Sequence, residues 1–110
     1  MKELIVFLEF VEKEEFIEGH ECLEDIWRKW KNSPNTREES YILKGLINAS
    51  TSLALYRLGK FEGAKRVWET FEKYRPLIKS IDSPYTPLYQ KAELLVDLKC
   101  KEVMGKLPPL

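Results

Sequence analysis

The single histidine of this 110-residue chain, His20, lies in the string Phe16-Ile-Glu-Gly-His-Glu-Cys-Leu-Glu-Asp-Ile-Trp-Arg-Lys-Trp30. At a helical turn of about 100° per residue, Phe16, His20, Leu23, Trp27 and Trp30 share one narrow stripe, and Glu24 stands at its border. Glu21, Asp25, Arg28 and Lys29 take the opposite face. Two chemistries follow. In the zincin pattern H-E-x-x-H, two imidazoles on one helical face bind zinc and the glutamate serves as general base. This chain has H-E-x-x-E, so His20 and Glu24 are the candidate metal ligands, with Glu21 beside them as a catalytic candidate. A third ligand has to come from Asn48 or from an acid on another helix. The second chemistry is structural: His20 as a buried, neutral imidazole holding Glu24 and Asn48 in a small polar cluster that sets how neighbouring helices register. A non-metal ligand pocket around Phe16, His20, Glu24, Trp27, Asn48 and Tyr56 is a third use of the same residues.

Other catalytic classes find little support. Ser50, Thr51 and Ser52 fall in a helical segment with no second histidine, and Cys22 points about 160° around its helix from His20. Gly45, Gly59 and Gly63 are spaced for packing and turns, not for a phosphate loop. Acid pairs are everywhere in a chain with fifteen Glu, so Glu21 with Glu24 carries little weight as an acid–base pair. Trp27, Trp30 and Trp68 suit a core better than a stacking platform for bases. No cofactor is expected, and a divalent metal is the one inorganic candidate.

Formal charge is zero but unevenly placed: residues 1–27 carry nine acidic and two basic side chains, the remainder nine and sixteen, or −7 against +7. That split predicts a match between helices, and it gives no ground for a nucleic-acid partner, which needs a net basic face. Lys and Glu dominate the charged residues, a bias found in thermophile proteins. Cys22 and Cys100 form no C-x-x-C pair and read as reduced thiols. The longest uncharged run, Gly45 to Tyr56, is twelve residues and includes Asn48, Ser50, Thr51 and Ser52, too short and too polar to cross a membrane. No signal peptide is expected, because the run after Met1-Lys2-Glu3 is broken at Glu9. A cytoplasmic location is the expectation.

The elements that must position His20 are helical. Leu4, Phe7, Leu8 and Val11 give helical spacing over residues 2–12, and the His20 helix runs from about Glu15 to Lys31, ending at Asn32-Ser33-Pro34-Asn35. Thr36 with Glu39 has capping-box spacing and predicts a third helix to about Leu58. That helix is apolar nearly all round, with Gly59 to end it. A fourth helix over about 61–78 is expected to bury Phe61, Ala64, Val67, Trp68 and Phe71 and to kink or stop at Pro76. Residues 83–87 predict an extended linker. A last helix over 88–104 would turn Leu88, Ala92, Leu95 and Val96 inward, and the tail from Gly105 should fray.

A shift of 45 residues lays Val11, Glu15, Phe16, Gly19, Leu23 and Ile26 on Tyr56, Lys60, Phe61, Ala64, Trp68 and Phe71. The fold predicted is therefore all-α, a five-helix bundle of two stacked helical hairpins, residues 2–32 and 36–79, plus the C-terminal helix, in one domain over 1–110. The second hairpin, Tyr56-x-x-Gly59-x-Phe61-x-x-Ala64-x-x-x-Trp68-x-x-Phe71-x-x-x-x-Pro76, resembles the helix-turn-helix half of a tetratricopeptide repeat. The first departs from it at Gly19 and His20, where local rule-breaking points to function.

The string from His20 to Trp27, with Phe16 before it and Gly45-Leu46-Ile47-Asn48, Gly59 and Gly63-Ala64 after it, resembles the small all-helical family catalogued as domain of unknown function 309, over about residues 7–78. The resemblance implies an all-helical bundle. For some members it carries the label metal-dependent hydrolase, which rests on the His and acid pattern. Members often have Gln at the place of Asn48 and histidines near positions 55 and 56. Leu55 and Tyr56 stand there in this chain, leaving one imidazole for any metal. The function expected is a non-catalytic protein or ligand interaction module, a homo-oligomer, most simply a dimer, since two hairpins and a helix leave repeat ends to cover. The alternative is a metal-dependent hydrolase centred on His20, Glu21 and Glu24.

Overall fold

The computed structural model describes residues 1–105, all of Met104 but its side chain. Helix α1 (Lys2–Glu12) turns Leu4, Phe7 and Val11 inward, the three-and-four spacing that puts side chains on one stripe. Its chain then reverses in three residues, Lys13 to Glu15. Glu14 takes a left-handed backbone, φ 62°, and the Glu15 N–H returns to the Phe10 carbonyl at 2.8 Å. Helix α2 (Phe16–Lys31) starts at once, burying Phe16, Gly19 and Leu23.

Helix α3 (Arg37–Arg57) is the central helix, packed against α2, α4 and the C-terminal helix. Its buried positions mix large apolar groups, Ile42, Leu43, Leu46 and Leu53, with Ser40, Gly45, Ala49, Ser50 and Ser52. The small residues let neighbouring backbones come close, and the hydroxyls are satisfied there. Ser50 donates to the Phe16 carbonyl of α2 at 2.6 Å, and Ser52 donates to the Ala64 carbonyl of α4 at 2.6 Å. Gly19 is required by this approach, because a Cβ there would lie 2.9 Å from Ser50 Oγ.

The turn into α4 (Phe61–Tyr74) repeats the first turn. Gly59 has φ 77°, and the Lys60 N–H returns to the Leu55 carbonyl at 2.9 Å, each forty-five residues on from its counterpart. The residues entering the next helix, Glu15 and Lys60, match at φ/ψ −91°/73° and −92°/69°. The sequence shift thus corresponds to one backbone geometry used twice.

Several local expectations are corrected. Thr36 makes no side-chain cap; its hydroxyl donates to the Trp30 carbonyl at 2.8 Å. Glu39 accepts instead from Ser83 at 2.8 Å and from the phenol of Tyr89, tying α3 to the C-terminal helix. Phe61 is 58 % exposed, lying against the Tyr56 ring with centroids 4.7 Å apart. Helix α4 stops at Tyr74, before Pro76, and a single turn, α5 (Leu77–Ser80), follows. The expected linker 83–87 is shorter than its proline content implies, since α6 (Thr86–Met104) begins at Thr86 with Pro87 in its first turn, where a missing N–H costs nothing. Its buried stripe is Tyr89, Ala92, Val96 and Cys100, with Leu88 and Leu95 only partly covered. Of the tail expected to fray, Gly105 to Leu110, Gly105 caps α6 with φ 73° and the rest lies outside the described residues.

Two charge clusters close the bundle. Arg75 bonds Glu93 at 2.9 Å and also engages Glu72 and Asp97, joining the end of α4 to α6. Glu14 bonds Arg57, and Lys99 at 3.1 Å, joining the first turn to α3 and α6. Among the described residues the architecture is an all-α bundle of five long helices and one short turn.

Candidate functional site

His20 sits one turn into α2, facing α3. Its Nδ1 is hydrogen-bonded to the Thr51 hydroxyl, and its Nε2 lies 3.4 Å from a Glu24 oxygen. Thr51 also lies 2.9 Å from the Ile47 carbonyl one turn back in its own helix, within reach of its single hydroxyl proton. Glu24 in turn meets Arg28 at 3.7 Å. Both His20 and Glu24 are 32 % exposed, so the polar cluster is half-open to solvent, not buried.

The third partner expected from the sequence, Asn48, is elsewhere: its amide donates to the Lys44 carbonyl at 2.7 Å. The sequence presents Thr51 only as a nucleophile candidate beside Ser50 and Ser52, and a threonine within a helix gives no sign that it reaches another helix. The signal that could have found it is spacing, since antiparallel helices that place Ser50 against Phe16 and Gly19 bring Thr51 to His20 one residue later.

Beside this pair runs a groove of about 240 Å³ between α2 and α3, lined by Ile17, His20, Glu21, Thr51, Ala54, Leu55 and Leu58. Its walls are apolar, and Ile17 and Leu58 are 54 % and 64 % exposed. Glu24 and Asn48 do not line it. A second hollow of about 400 Å³ continues past Ile17, Ala54 and Leu58 to Glu14, Glu15, Phe16, Glu18 and Arg57. The six pocket residues of the sequence therefore divide. His20, Glu24 and Trp27 follow one another along the α2 edge of the face. Phe16 is buried under the Arg57 guanidinium, 4.9 Å from its ring. Tyr56 points to another hollow, with Phe61, Glu102 and Val103.

The donors do not fit a catalytic metal. Such a site needs three protein ligands around one point. Among the described residues no three His, Cys, Asp or Glu side chains converge, and both ring nitrogens of His20 already have partners. Glu21 reaches the groove but is no partner of His20. Acyl transfer by Thr51 lacks an oxyanion site as well, because its hydroxyl lies mid-helix, where backbone N–H groups are spent on the helix itself. Cys22 is equally unsuited: burial pushes its thiol up to about 11, and Sγ points to the Gly19 carbonyl at 3.3 Å.

At the other end of the same face a cleft of about 370 Å³ is lined by Trp27, Lys31, Arg37, Ser40, Tyr41 and Lys44. The Lys31 ammonium stands 4.4 Å from the centre of the Trp27 ring, and Tyr41 stacks on Tyr74 at 5.1 Å.

The model of the family described as Domain of unknown function (DUF309) matches residues 4–67, more than half of the chain. The chain belongs to that family. The DUF309 match takes in α1, α2, α3 and the start of α4, hence both helices of the His20 groove and both left-handed turns. Helix α6, which packs on α1 and α3, lies beyond it. No curated protein and no solved structure matches the chain. No helix among the described residues is long and apolar enough to cross a membrane.

Proposed function

We propose that this DUF309 protein is a non-catalytic interaction module whose α2–α3 face receives a protein partner. One observation carries the proposal: the groove beside His20 presents exposed Ile17 and Leu58 while the chemistry-bearing group within it is held by Thr51 and Glu24. Large apolar side chains standing at a concave surface favour contact with another apolar surface. The tetratricopeptide-like spacing supports it, because stacked helical hairpins build grooves of this kind and need their ends covered. A homodimer is the partner state that follows most simply. His20 then acts as a register pin that ties α2 to α3 and keeps the groove walls at fixed separation. Cys22 and Cys100, not joined in a disulfide, suit a reducing, cytoplasmic setting.

The test is site-specific photo-crosslinking in the source cells, with a photo-reactive phenylalanine analogue placed at position 58 on the groove or at position 98 on the outer side of α6. Adducts of defined mass from position 58 and none from position 98 are expected. Absence of any position-58 adduct, from a protein shown by circular dichroism to be folded, would overturn the proposal.

A further inference from the structure

The face between α2 and α3 carries opposite charge at its two ends. The α2 edge runs Ile17, His20, Glu24, Trp27 and Lys31, and the α3 edge runs back through Tyr41, Lys44, Asn48, Thr51, Leu55 and Leu58. At one end Glu15, Glu18 and Glu21 surround exposed Ile17 and Leu58. At the other Lys31, Arg37 and Lys44 surround Trp27 and Tyr41. Among the described residues none of these three acids and none of these three cations takes part in an ion pair, although the remaining charges on the face, Glu14, Glu24, Arg28 and Arg57, are paired.

The two ends are also placed evenly. Ile17 and Lys31 lie fourteen residues apart in sequence, so the α2 edge is about 21 Å long, and Glu24 is its midpoint. His20 against Thr51 sets the register, and Asn48 lies near the middle of the α3 edge between Tyr41 and Leu58. A rotation of 180° about an axis through that middle exchanges the acidic, apolar end with the basic, aromatic end. A surface with this property is self-complementary, the condition for a closed isologous pair.

The geometry points to a second copy of this chain, laid antiparallel on the α2–α3 face, as its occupant. Ile17 and Leu58 of each copy meet the Trp27 and Tyr41 rings of the other, while the Glu15, Glu18 and Glu21 cluster meets the Lys31, Arg37 and Lys44 cluster twice over. Glu24 approaches the two-fold axis with its charge already engaged by Arg28 and His20. This rests on the proposal that the face is a contact surface, and it adds the symmetry of the pair and the residues that meet. Exposed Leu94 and Leu98 on α6 form a competing apolar patch, which the experiment separates from this face.

The experiment is sedimentation equilibrium on the full chain and on two charge-reversed forms, K31E/K44E and E18K/E21K, each checked for helicity by circular dichroism. The unaltered protein should dimerise, with a dissociation constant rising about tenfold or more as ionic strength goes from about 0.05 M to about 0.5 M. Each reversed form alone should weaken the dimer by about a hundredfold or more, since both reciprocal contacts become repulsive at once. An equimolar mixture of the two should recover a heterodimer, because each altered end then meets its opposite. All substituted groups are exposed or half-exposed, and the salt series needs no variant at all. A monomer at low salt would overturn the inference. So would a dimer that neither reversal weakens, or one abolished only by L94E/L98E. A position-58 crosslink to another protein would leave the interaction module standing while removing the dimer, whereas no crosslink at all would remove both.

Discussion

Glu14 and Gly59, forty-five residues apart, hold the same left-handed position just after α1 and α3, with φ of 62° and 77°. Only one of them is glycine. At Gly59 a Cβ would touch nothing within 4 Å, so the cost of adding one is conformational alone. Gly59→Ala should therefore destabilise by about 1–2 kcal/mol, read from the denaturant midpoint with an unchanged slope. Gly59→Asn should cost less, because its short amide tolerates that backbone.

At Glu14 the same strain is offset by charge. Hydrogen bonding from Lys99, with Arg57 beside it, holds the carboxyl below its ordinary value of 4.5. A carboxyl with a lowered folded value contributes stability that is present above its unfolded value and is lost as pH falls through the folded one. Burial opposes the Lys99 charge, yet Glu14 and Glu102 raise its value above 10.5, so its share is present below that pH and lost as pH rises through the folded value. Glu14→Gln should thus cost about 0.5–1 kcal/mol near neutrality, kept small by solvent screening. In a pH series of thermal melts, the difference from the parent should shrink at both the acid and the alkaline end.

Gly19 and Ser50 form a coupled pair. Gly19→Ala alone should destabilise by about 1–3 kcal/mol, because the new methyl meets Ser50 Oγ and the bond from Ser50 to the Phe16 carbonyl with it. In a Ser50→Ala background the obstruction is gone, and the better helix propensity of alanine, about 1 kcal/mol over glycine, should make the same change neutral or stabilising. A reversal of sign across the double-mutant cycle is the outcome to look for; equal effects in both backgrounds would mean the two helices do not approach as described.

His20 should leave metal content unchanged. Elemental analysis of untagged protein prepared without chelator, beside His20→Ala prepared in the same way, should give substoichiometric transition metal in both. The variant should lose about 1 kcal/mol of stability through the vacated partners of Thr51 and Glu24. A near-stoichiometric metal that disappears with the imidazole would restore the hydrolase alternative.

Much of this was determined by the sequence alone. Helix existence and approximate bounds follow from apolar spacing in Leu4, Phe7 and Val11 or in Ala64, Trp68 and Phe71, since a periodic stripe has one way to be buried. The internal repeat was legible too, because the chain repeats small and aromatic residues wherever it repeats a turn. Gly59 declared the second left-handed turn, whereas Glu14 concealed the first.

What only the tertiary structure decided is which polar groups meet. Hydrogen bonds between helices depend on rotation and offset to within an ångström or so, and a periodicity of 3.6 leaves several candidates on each stripe. Thr51 rather than Asn48 reaches His20, and Glu39 joins Tyr89 and Ser83 rather than capping its own helix. Phe61 lies exposed where the repeat pattern put it inside, against the Tyr56 ring in a hollow shared with Glu102 and Val103 of α6. The opposite charges at the two ends of the α2–α3 face were present in the composition as −7 and +7, but their division across one continuous surface came from antiparallel packing, which lays the ends of α2 against opposite ends of α3.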